Sequence, residues 1–255
     1  MRTPSRPRPG WPAPARWGGK VGGVWSGRLG QPGRQAPVTG PSSPGMQETE
    51  RVRRLYDAMA PHYDRVIAIA EQLLFGDGRQ WACSQATGQV LEVAIGTGRN
   101  LSHYPPGVQV TGIDVSPGML REAEARAAQY ETAVELQVGD AQHLPYPDDT
   151  FDTVLATLTL CSIPDDRAAV AEMARVLRPG GLLILLDHIA SPNRLVRAAQ
   201  QLLDPLTVRL QGDHLLRDPT AAVVDNHLRI TEYSLRRCGI VLRLTARAET
   251  HGTRP

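Results

Sequence analysis

Short apolar runs alternate with amphipathic stretches through the middle of the chain. The runs are QVLEVA, VQVTGID, AVELQVGD, FDTVLATLTL and GLLILLDHI, at residues 89–94, 108–114, 133–140, 151–160 and 181–189. Helical patterns follow most of them, namely RNLSHY, MLREAEARAAQY, DRAAVAEMARVL and a long stretch after the last run, whereas a loop follows the third. Near-continuous apolar strands joined by helices are typical of a parallel sheet covered on both faces. The pattern therefore predicts a doubly wound, mostly parallel α/β fold that binds its ligands beyond the carboxyl ends of the strands.

Upstream of this region, the spacing of Val52, Leu55 and Met59 predicts an amphipathic helix from about Glu48, interrupted at Pro61. A second helix is predicted from about 62 to 81. Residues 46–86 are thus expected to form N-terminal covering helices, and 87–247 the main domain. After the last helix only GIVLRLTA has a strand pattern, so one strand is predicted there, followed by a polar tail at 248–255.

The first 45 residues have a different composition, with nine Pro, ten Gly and no periodicity, and are expected to be disordered. Two explanations remain open. The segment, rich in Arg and free of acids, has the composition of a targeting peptide, although its Pro and Gly disfavour a helix. Alternatively, translation starts at Met46 and the segment is GC-rich upstream DNA read as protein, which the ratio of 27 Arg to one Lys favours.

Charge and cysteine content narrow the functional classes. The net charge is +2, but residues 1–45 carry +7, so the remainder is mildly acidic and offers no general field for nucleic acid. Cys83, Cys161 and Cys238 form no CxxC pair and are predicted to be buried reduced thiols. No apolar run approaches 18 residues. A cytoplasmic protein without a transmembrane helix is expected.

The segment VLEVAIGTGRN carries the first candidate site. A strand ends near Val93 or Ala94 and runs into Gly96, Thr97 and Gly98, with a helix expected from about Arg99. Glycines at such a turn allow close approach of a ligand, and a helix N-terminus offers free N–H groups. The GxGxxG spacing of nicotinamide sites does not fit, because its third glycine falls at Thr97.

Carboxylates end the next two apolar runs. Asp114 can accept hydrogen bonds from both ribose hydroxyls of an adenosine. It can instead cap the following helix, but we assign capping to Ser116 and ligand binding to Asp114. Asp140 can accept from an adenine amino group, with the backbone at Ala141 beside the ring.

The glycine turn, Asp114 and the segment of Asp140 together resemble motifs of the class I S-adenosylmethionine-dependent methyltransferases. That group includes the ubiquinone and menaquinone C-methyltransferases. Leu177-Arg178-Pro179-Gly180-Gly181 also matches the family's turn before its fifth strand, and LYDAMAPHYD its covering helix. The resemblance extends from about Glu48 to Asp218. It implies a Rossmann-like fold and S-adenosylmethionine as cofactor, without a metal. The cofactor-binding residues implied are Tyr63, Glu92, Ala94, Gly96, Gly98, Asp114, Val115, Asp140, Ala141 and Thr157, with Asp64 beside Tyr63 over the methionine end.

A narrower resemblance links TLTLCSIPDD, LLDHIA, QQLLDP and GDHLLRD to the animal membrane-associated thiol methyltransferases and their bacterial relatives. Two departures qualify the family match. Ala94 stands where the family has its first glycine, and the family's seventh strand is expected to be missing. A truncated or frameshifted gene, or a sheet edge covered by a partner chain, would each account for the second.

The expected acceptor is a small apolar molecule such as a thiol, a quinone precursor or a lipid-like compound. His188, beside Asp187, is the first candidate for a general base, ahead of Asp204 and His214. Cys161 is expected to line the pocket. The histidines show no metal-ligand spacing such as HExxH.

The helical segment RLVRAAQQLLDPLTVRL could rest on a membrane surface or cover an acceptor pocket, but covering the domain's own core is favoured. The oligomeric state stays open. Two other functions are considered: a cofactor-binding protein without turnover, and a nicotinamide-dependent oxidoreductase.

Overall fold

The computed structural model describes residues 44–129 and 134–249, which contain a seven-stranded sheet. The strands are β1 (Gln89–Val93), β2 (Gln109–Asp114), β3 (Val134–Val138), β4 (Phe151–Thr157), β5 (Leu177–His188), β6 (Leu228–Arg236) and β7 (Val241–Ala248). Their order is β3-β2-β1-β4-β5-β7-β6. The first five are parallel, and β7 runs antiparallel to both β5 and β6. This confirms the predicted doubly wound, mostly parallel α/β fold.

The seventh strand is present, so the prediction that it is missing was wrong. LRITEYSLR forms β6 and pairs with β7, through a register shift between Ile230 and Glu232. The turn between the strands holds Arg237, Cys238 and Gly239 at positive φ. Most of β6 is exposed or half-buried, because it lies at the edge of the sheet. An edge strand with polar side chains gives little apolar periodicity, which explains the error.

The described residues also contain helices on both sides of this sheet. They are α1 (Pro44–Met59), α2 (Tyr63–Leu74), α3 (Gly78–Cys83), α4 (Pro117–Gln129), α5 (Asp166–Val176), α6 (Arg194–Gln211) and α7 (Thr220–Asp225). A 3₁₀ turn at Ala60–His62 separates α1 from α2. The helix predicted over 62–81 is broken between α2 and α3, where Gly76 has a φ of 54°.

The prediction of a helix beginning at about Arg99 was also wrong. The segment RNLSHY forms only a 3₁₀ turn at Leu101–His103. Pro105 and Pro106 follow directly and cannot extend a helix, since proline has no N–H to donate. The connection from β1 to β2 therefore carries no α-helix, and the first glycine turn is not at a helix N-terminus.

The core lies on both faces of the central strands. Leu183 and Leu185 on β5 pack on the side of α5, where Met173 is fully buried. Ile184 and Leu186 point to the opposite face and pack with α3. Because alternate side chains of β5 are buried on opposite faces, the strand reads as a continuous apolar run.

Three other expectations can be compared with this fold. Cys83 and Cys161 are buried free thiols, but Cys238 is exposed in the β6–β7 turn. The favoured interpretation that the segment of α6 covers the domain's own core was wrong. Gln200 is the only buried residue of α6, and Leu195 and Leu202 are more than four-fifths exposed. Among the described residues no helix is long and apolar enough to span a membrane. The predicted disorder of 1–45 and the polar tail lie almost entirely outside the described residues.

Candidate active site

A cavity lies at the carboxyl ends of β1, β2, β3 and β4. The strands end together there, since Val93 is in register with Ile113 and Ala156, and Asp114 with Val138. Eight of the ten predicted cofactor-binding residues line it: Tyr63, Ala94, Gly96, Asp114, Val115, Asp140, Ala141 and Thr157. Glu92, Gly98 and the candidate base His188 are not part of its wall.

The turn after β1 is held in a left-handed conformation. Ala94, Gly96 and Gly98 have φ values of 51°, 58° and 75°. A Cβ on Gly96 would meet nothing closer than 4.0 Å, so its missing side chain leaves space in the cavity. A Cβ on Gly98 would lie 2.9 Å from Leu101 Cδ1 and 3.2 Å from Ala123 Cα. Gly98 therefore serves the packing of the turn, whereas Gly96 faces the cavity.

Asp114 ends β2 with a buried carboxylate. Its Oδ2 accepts from the Gly96 N–H at 2.9 Å and its Oδ1 from the Ser116 N–H at 2.8 Å. Burial raises the pKa of Asp114 to about 6, although these N–H donors oppose the rise. The Ser116 hydroxyl accepts from the Met119 N–H at 3.1 Å, so Ser116 caps α4 as expected. Each Asp114 oxygen keeps acceptor capacity for a ligand.

Asp140 lies after β3 and is held by Gln142. The Gln142 side-chain amide donates to Asp140 at 2.9 Å and to Thr49 Oγ1 on α1 at 3.0 Å. Its oxygen accepts from the Asp165 N–H. One amide thus connects the third strand end, the first covering helix and the start of α5, and it fixes the carboxylate of Asp140 at the edge of the cavity.

Glu92 is buried behind the cavity wall. Its two oxygens accept from Asn100 Nδ2 at 2.8 Å and from the Tyr104 hydroxyl at 2.7 Å. Burial raises its pKa to about 7, against these two hydrogen bonds and the charge of Arg79. Any contribution of Glu92 to the cavity passes through Asn100, which also donates to Thr157 Oγ1 at 2.9 Å.

The covering helices close one side of the cavity. Tyr56 and Tyr63 lie in its wall with ring centroids 6.1 Å apart. Asp64 accepts from Thr97 Oγ1 at 2.8 Å and also contacts Arg126 on α4. Asp57 accepts from the Ser116 hydroxyl at 2.6 Å and the Gly118 N–H at 2.7 Å. Contacts from α1 and α2 therefore reach both the glycine turn and the start of α4.

Arg79 was not anticipated from the sequence. It lies in the cavity wall and forms a two-point ion pair with Glu71, at 2.6 and 3.0 Å. It also donates to Asn100 Oδ1 and Thr157 Oγ1 at 2.9 and 3.0 Å. One arginine in a short helix gives no recognisable motif.

His188 lies at the end of β5, with Cys161 and Asp213 nearby. One ligand atom from each of the three side chains lies within 4.8 Å of the others. The Tyr56 hydroxyl connects this group to the cavity, because it donates to Asp213 Oδ1 at 3.4 Å. Cys161 was expected in the pocket wall but lies behind it, beside Ser162, which does line the cavity. Asp204, an alternative base, instead accepts from the Leu215 N–H.

Comparison with known proteins supports one family. A family model described as a methyltransferase domain matches residues 91–185. The ubiquinone/menaquinone biosynthesis C-methyltransferase of Desulfotalea psychrophila is 33% identical over 180 residues, which cover 67% of this chain and 71% of that protein. The chain belongs to the class I S-adenosylmethionine-dependent methyltransferases. Their predicted resemblance to this chain is thereby confirmed.

Other members of the family carry different names. The phosphatidylethanolamine N-methyltransferase of Cereibacter sphaeroides is 44% identical over 105 residues, covering 40% of this chain and 52% of that protein. A human thiol S-methyltransferase is 34% identical over 143 residues, covering 54% and 58%. The chain spans between half and two thirds of the length of the first relatives it matches.

The fold alone does not fix the reaction. A solved [4+2]-cyclase matches this chain with a TM-score of 0.63 at 19% identity. The match covers 79% of this chain and 96% of that one. Function must therefore be argued from the cavity. The cavity suits the cofactor of the family: Asp114 and Asp140 offer acceptors for an adenosine, and Gly96 leaves clearance beside them.

Proposed function

We propose that this chain transfers a methyl group from S-adenosylmethionine to a small, apolar acceptor. The observation that carries the proposal is the arrangement of Asp114, Asp140 and Gly96 in one cavity. Two carboxylates stand at the ends of neighbouring strands, and the glycine turn beside them leaves room for a ligand. Carboxylates in these positions are suited to hold the ribose and the adenine of the cofactor.

The protein's part in this reaction is orientation and exclusion of water. The bound cofactor supplies a methyl group on a sulfonium, which is electrophilic without further activation. Tyr56 and Tyr63 line the cavity, and both are half-buried. Thr157, fixed by Arg79 and Asn100, holds the wall at the end of β4. Such fixed groups lower the entropic cost of bringing donor and acceptor together.

The acceptor is inferred from the cavity wall and from the relatives. Val52, Leu158, Ile163 and Pro164 supply an apolar lining. The names of relatives include a quinone-precursor methyltransferase, a thiol methyltransferase and a phospholipid methyltransferase. We therefore keep thiols, quinone precursors and lipid-like amines as the acceptor classes, and we propose a cytoplasmic location without a nucleic-acid partner.

Proton removal is needed only for acceptors that react in their deprotonated form. His188 remains the candidate base from the sequence, but it does not line the cavity. A proton leaving the acceptor would reach its neighbourhood through the Tyr56 hydroxyl and Asp213. Burial raises the pKa of Asp213, which favours a carboxyl able to hold a proton.

A panel of acceptors tests the proposal. The protein is incubated with S-adenosylmethionine and, separately, a thiol, a demethylated quinol and a phosphatidylethanolamine dispersion, and S-adenosylhomocysteine and the methylated product are both quantified. Equal amounts of the two with one acceptor class support the proposal. Cofactor binding without product from any class would favour the alternative of a binding protein without turnover. Preferential binding of a nicotinamide dinucleotide would favour an oxidoreductase.

A further inference from the structure

Three side chains with metal-binding atoms meet behind the cavity wall. Cys161 follows β4, His188 ends β5, and Asp213 follows α6, so they come from three separate segments. One sulfur, one imidazole nitrogen and one carboxylate oxygen lie within 4.8 Å of one another. Of the residues that the structure describes, no other three form such a group.

The polar atoms in this group are incompletely satisfied. His188 Nδ1 is buried and has no hydrogen-bond partner within the described parts of the chain. The carboxylate of Asp213 is in contact with the Cys161 thiol at 3.7 Å and the Tyr56 hydroxyl at 3.4 Å, both long contacts. No Lys or Arg of the described residues forms an ion pair with it. A buried nitrogen without a partner, beside a half-buried carboxylate that makes only these two contacts, is costly.

We propose that Cys161, His188 and Asp213 bind a zinc ion. A thiolate, an imidazole and a carboxylate are all ligands that zinc accepts, and three protein ligands leave a fourth position open. Ligand atoms around tetrahedral zinc lie about 3.3–3.8 Å apart, given bonds of about 2.0–2.3 Å. Ligand atoms that now lie within 4.8 Å of one another need to approach by about 1.5 Å at most. The ion gives one imidazole nitrogen of His188 and the carboxylate of Asp213 a common partner.

The backbone around the site is already fixed. The His214 N–H donates to the Cys161 carbonyl at 2.9 Å, which ties the segment of Asp213 to the segment of Cys161. The neighbouring Asp187 accepts from the Thr159 and Leu160 N–H groups at 3.0 and 2.7 Å. It thereby ties the end of β5 to the same turn. Supporting contacts of this kind orient metal ligands, and the Tyr56 hydroxyl gives Asp213 a further one.

The location makes the site relevant to the acceptor. Tyr56, bonded to Asp213, and Ser162, next to Cys161 in sequence, both line the cavity. The zinc site is therefore separated from the cavity by one layer of side chains. The proposal goes beyond the proposed methyl transfer and does not depend on it. With zinc bound, His188 and Asp213 are metal ligands, and the acceptor's proton then leaves by another route.

Zinc binding to the full-length, untagged chain tests the inference. The protein is stripped with a chelator, titrated with Zn²⁺ by calorimetry, and its zinc content is measured after dialysis. We expect one ion per chain and the release of the Cys161 proton, so that the affinity rises with pH. Co²⁺ in place of zinc should give a thiolate-to-cobalt charge-transfer band.

Single substitutions identify the ligands. Cys161→Ser, His188→Gln and Asp213→Asn should each weaken zinc binding at least tenfold, and Cys161→Ser should abolish the cobalt band. Cys238→Ser and His143→Gln are matched controls, since both side chains are exposed, and should leave zinc affinity unchanged. A thermal melt and an S-adenosylmethionine titration establish that each variant is folded.

The outcomes separate this inference from the proposed function. A folded wild-type chain that binds S-adenosylmethionine but no zinc overturns the metal site and leaves methyl transfer standing. Zinc affinity that stays at the wild-type value in all three ligand variants overturns it as well. A chain that binds one zinc through these residues and methylates no acceptor supports the site and counts against the proposed function.

Discussion

Thr97 in the glycine turn donates a hydrogen bond from its Oγ1 to Asp64 Oδ1 at the start of α2, at 2.8 Å. The same carboxylate contacts Arg126 on α4 and lies 3.4 Å from Arg99. Burial alone would raise the pKa of Asp64, but the Thr97 hydroxyl and the two arginines hold it below its usual value. Asp64 is thus charged, and its carboxylate links α2 to the glycine turn beside the cavity.

Removing the charge of Asp64 should weaken the contact between α2 and the glycine turn. Asp64→Asn keeps the shape of the side chain but leaves Arg99 and Arg126 without their carboxylate, so we expect S-adenosylmethionine to dissociate faster. The free energy of unfolding should fall by about 1 kcal/mol, since the group is partly exposed. Stopped-flow displacement measures the dissociation. Asp148→Asn removes an exposed ion pair with Arg175 away from the cavity and should leave the rate unchanged.

Asp114 should carry much of the cofactor affinity. Asp114→Ala removes a carboxylate that can accept charge-assisted bonds from the ribose, and should weaken S-adenosylmethionine binding by about 1 to 3 kcal/mol. Affinity of the wild type should also decline as the pH falls below about 6, where the carboxyl becomes protonated. Asp152→Ala is the matched control, because Asp152 also accepts from a backbone N–H but lies outside the cavity. Equal affinities of the two variants would remove the ribose assignment.

Glu92 should make the protein less stable as the pH rises. Its pKa is about 7 in the folded chain and 4.5 in the unfolded one, so between these values the folded state holds the extra proton. The stability linked to this group is therefore complete below pH 4.5 and is lost as the pH rises through 7. Glu92→Gln removes the titration. The variant's unfolding free energy relative to wild type should rise by up to about 3 kcal/mol between pH 4.5 and 8.

Urea denaturation of both proteins at each pH measures that difference. Taking the difference removes the opposite pH dependence of groups such as Glu71, whose pKa is lowered by Arg79 and Arg99 against the effect of burial. A difference that is constant across the pH range would show that Glu92 titrates normally in the folded chain.

Gly98 should be required for packing and not only for its backbone angle. Gly98 and Gly107 both have positive φ, at 75° and 88°, but a Cβ meets close atoms only at Gly98. Gly107→Ala should cost about 1 kcal/mol through the left-handed backbone alone. Gly98→Ala should cost a further 1 to 3 kcal/mol, roughly, through overpacking against Leu101 and Ala123. Thermal unfolding of the two variants gives the comparison, and similar losses would show that Ala123 and α4 move aside freely.

The central sheet was predictable from the sequence because its strands are buried on both faces. Leu183 to Leu186 are all fully buried, so this strand can be recognised from its continuous apolar run alone. The edge strand β6 was missed for the opposite reason, since Arg229, Glu232 and Tyr233 face solvent there. Its pairing with β7 depends on the turn at Arg237–Gly239, whose left-handed backbone is unusual for Arg and Cys.

The residues of the candidate site also differed in how far the sequence predicted them. Asp114 and Asp140 were predictable because parallel strands place their carboxyl ends at one edge. Arg79 and Asp213 were not, because they reach the site from a short helix and from the end of α6. Only the three-dimensional packing brings these segments together, and neither residue stands in a local motif.

Calorimetric titration of S-adenosylmethionine and S-adenosylhomocysteine into the protein, alongside a nicotinamide dinucleotide, tests the central claim most directly. The account predicts micromolar, one-to-one binding of both sulfur compounds, lost or strongly weakened in Asp114→Ala, and no binding of the dinucleotide. A folded protein that binds neither sulfur compound, or that prefers the dinucleotide, would contradict it.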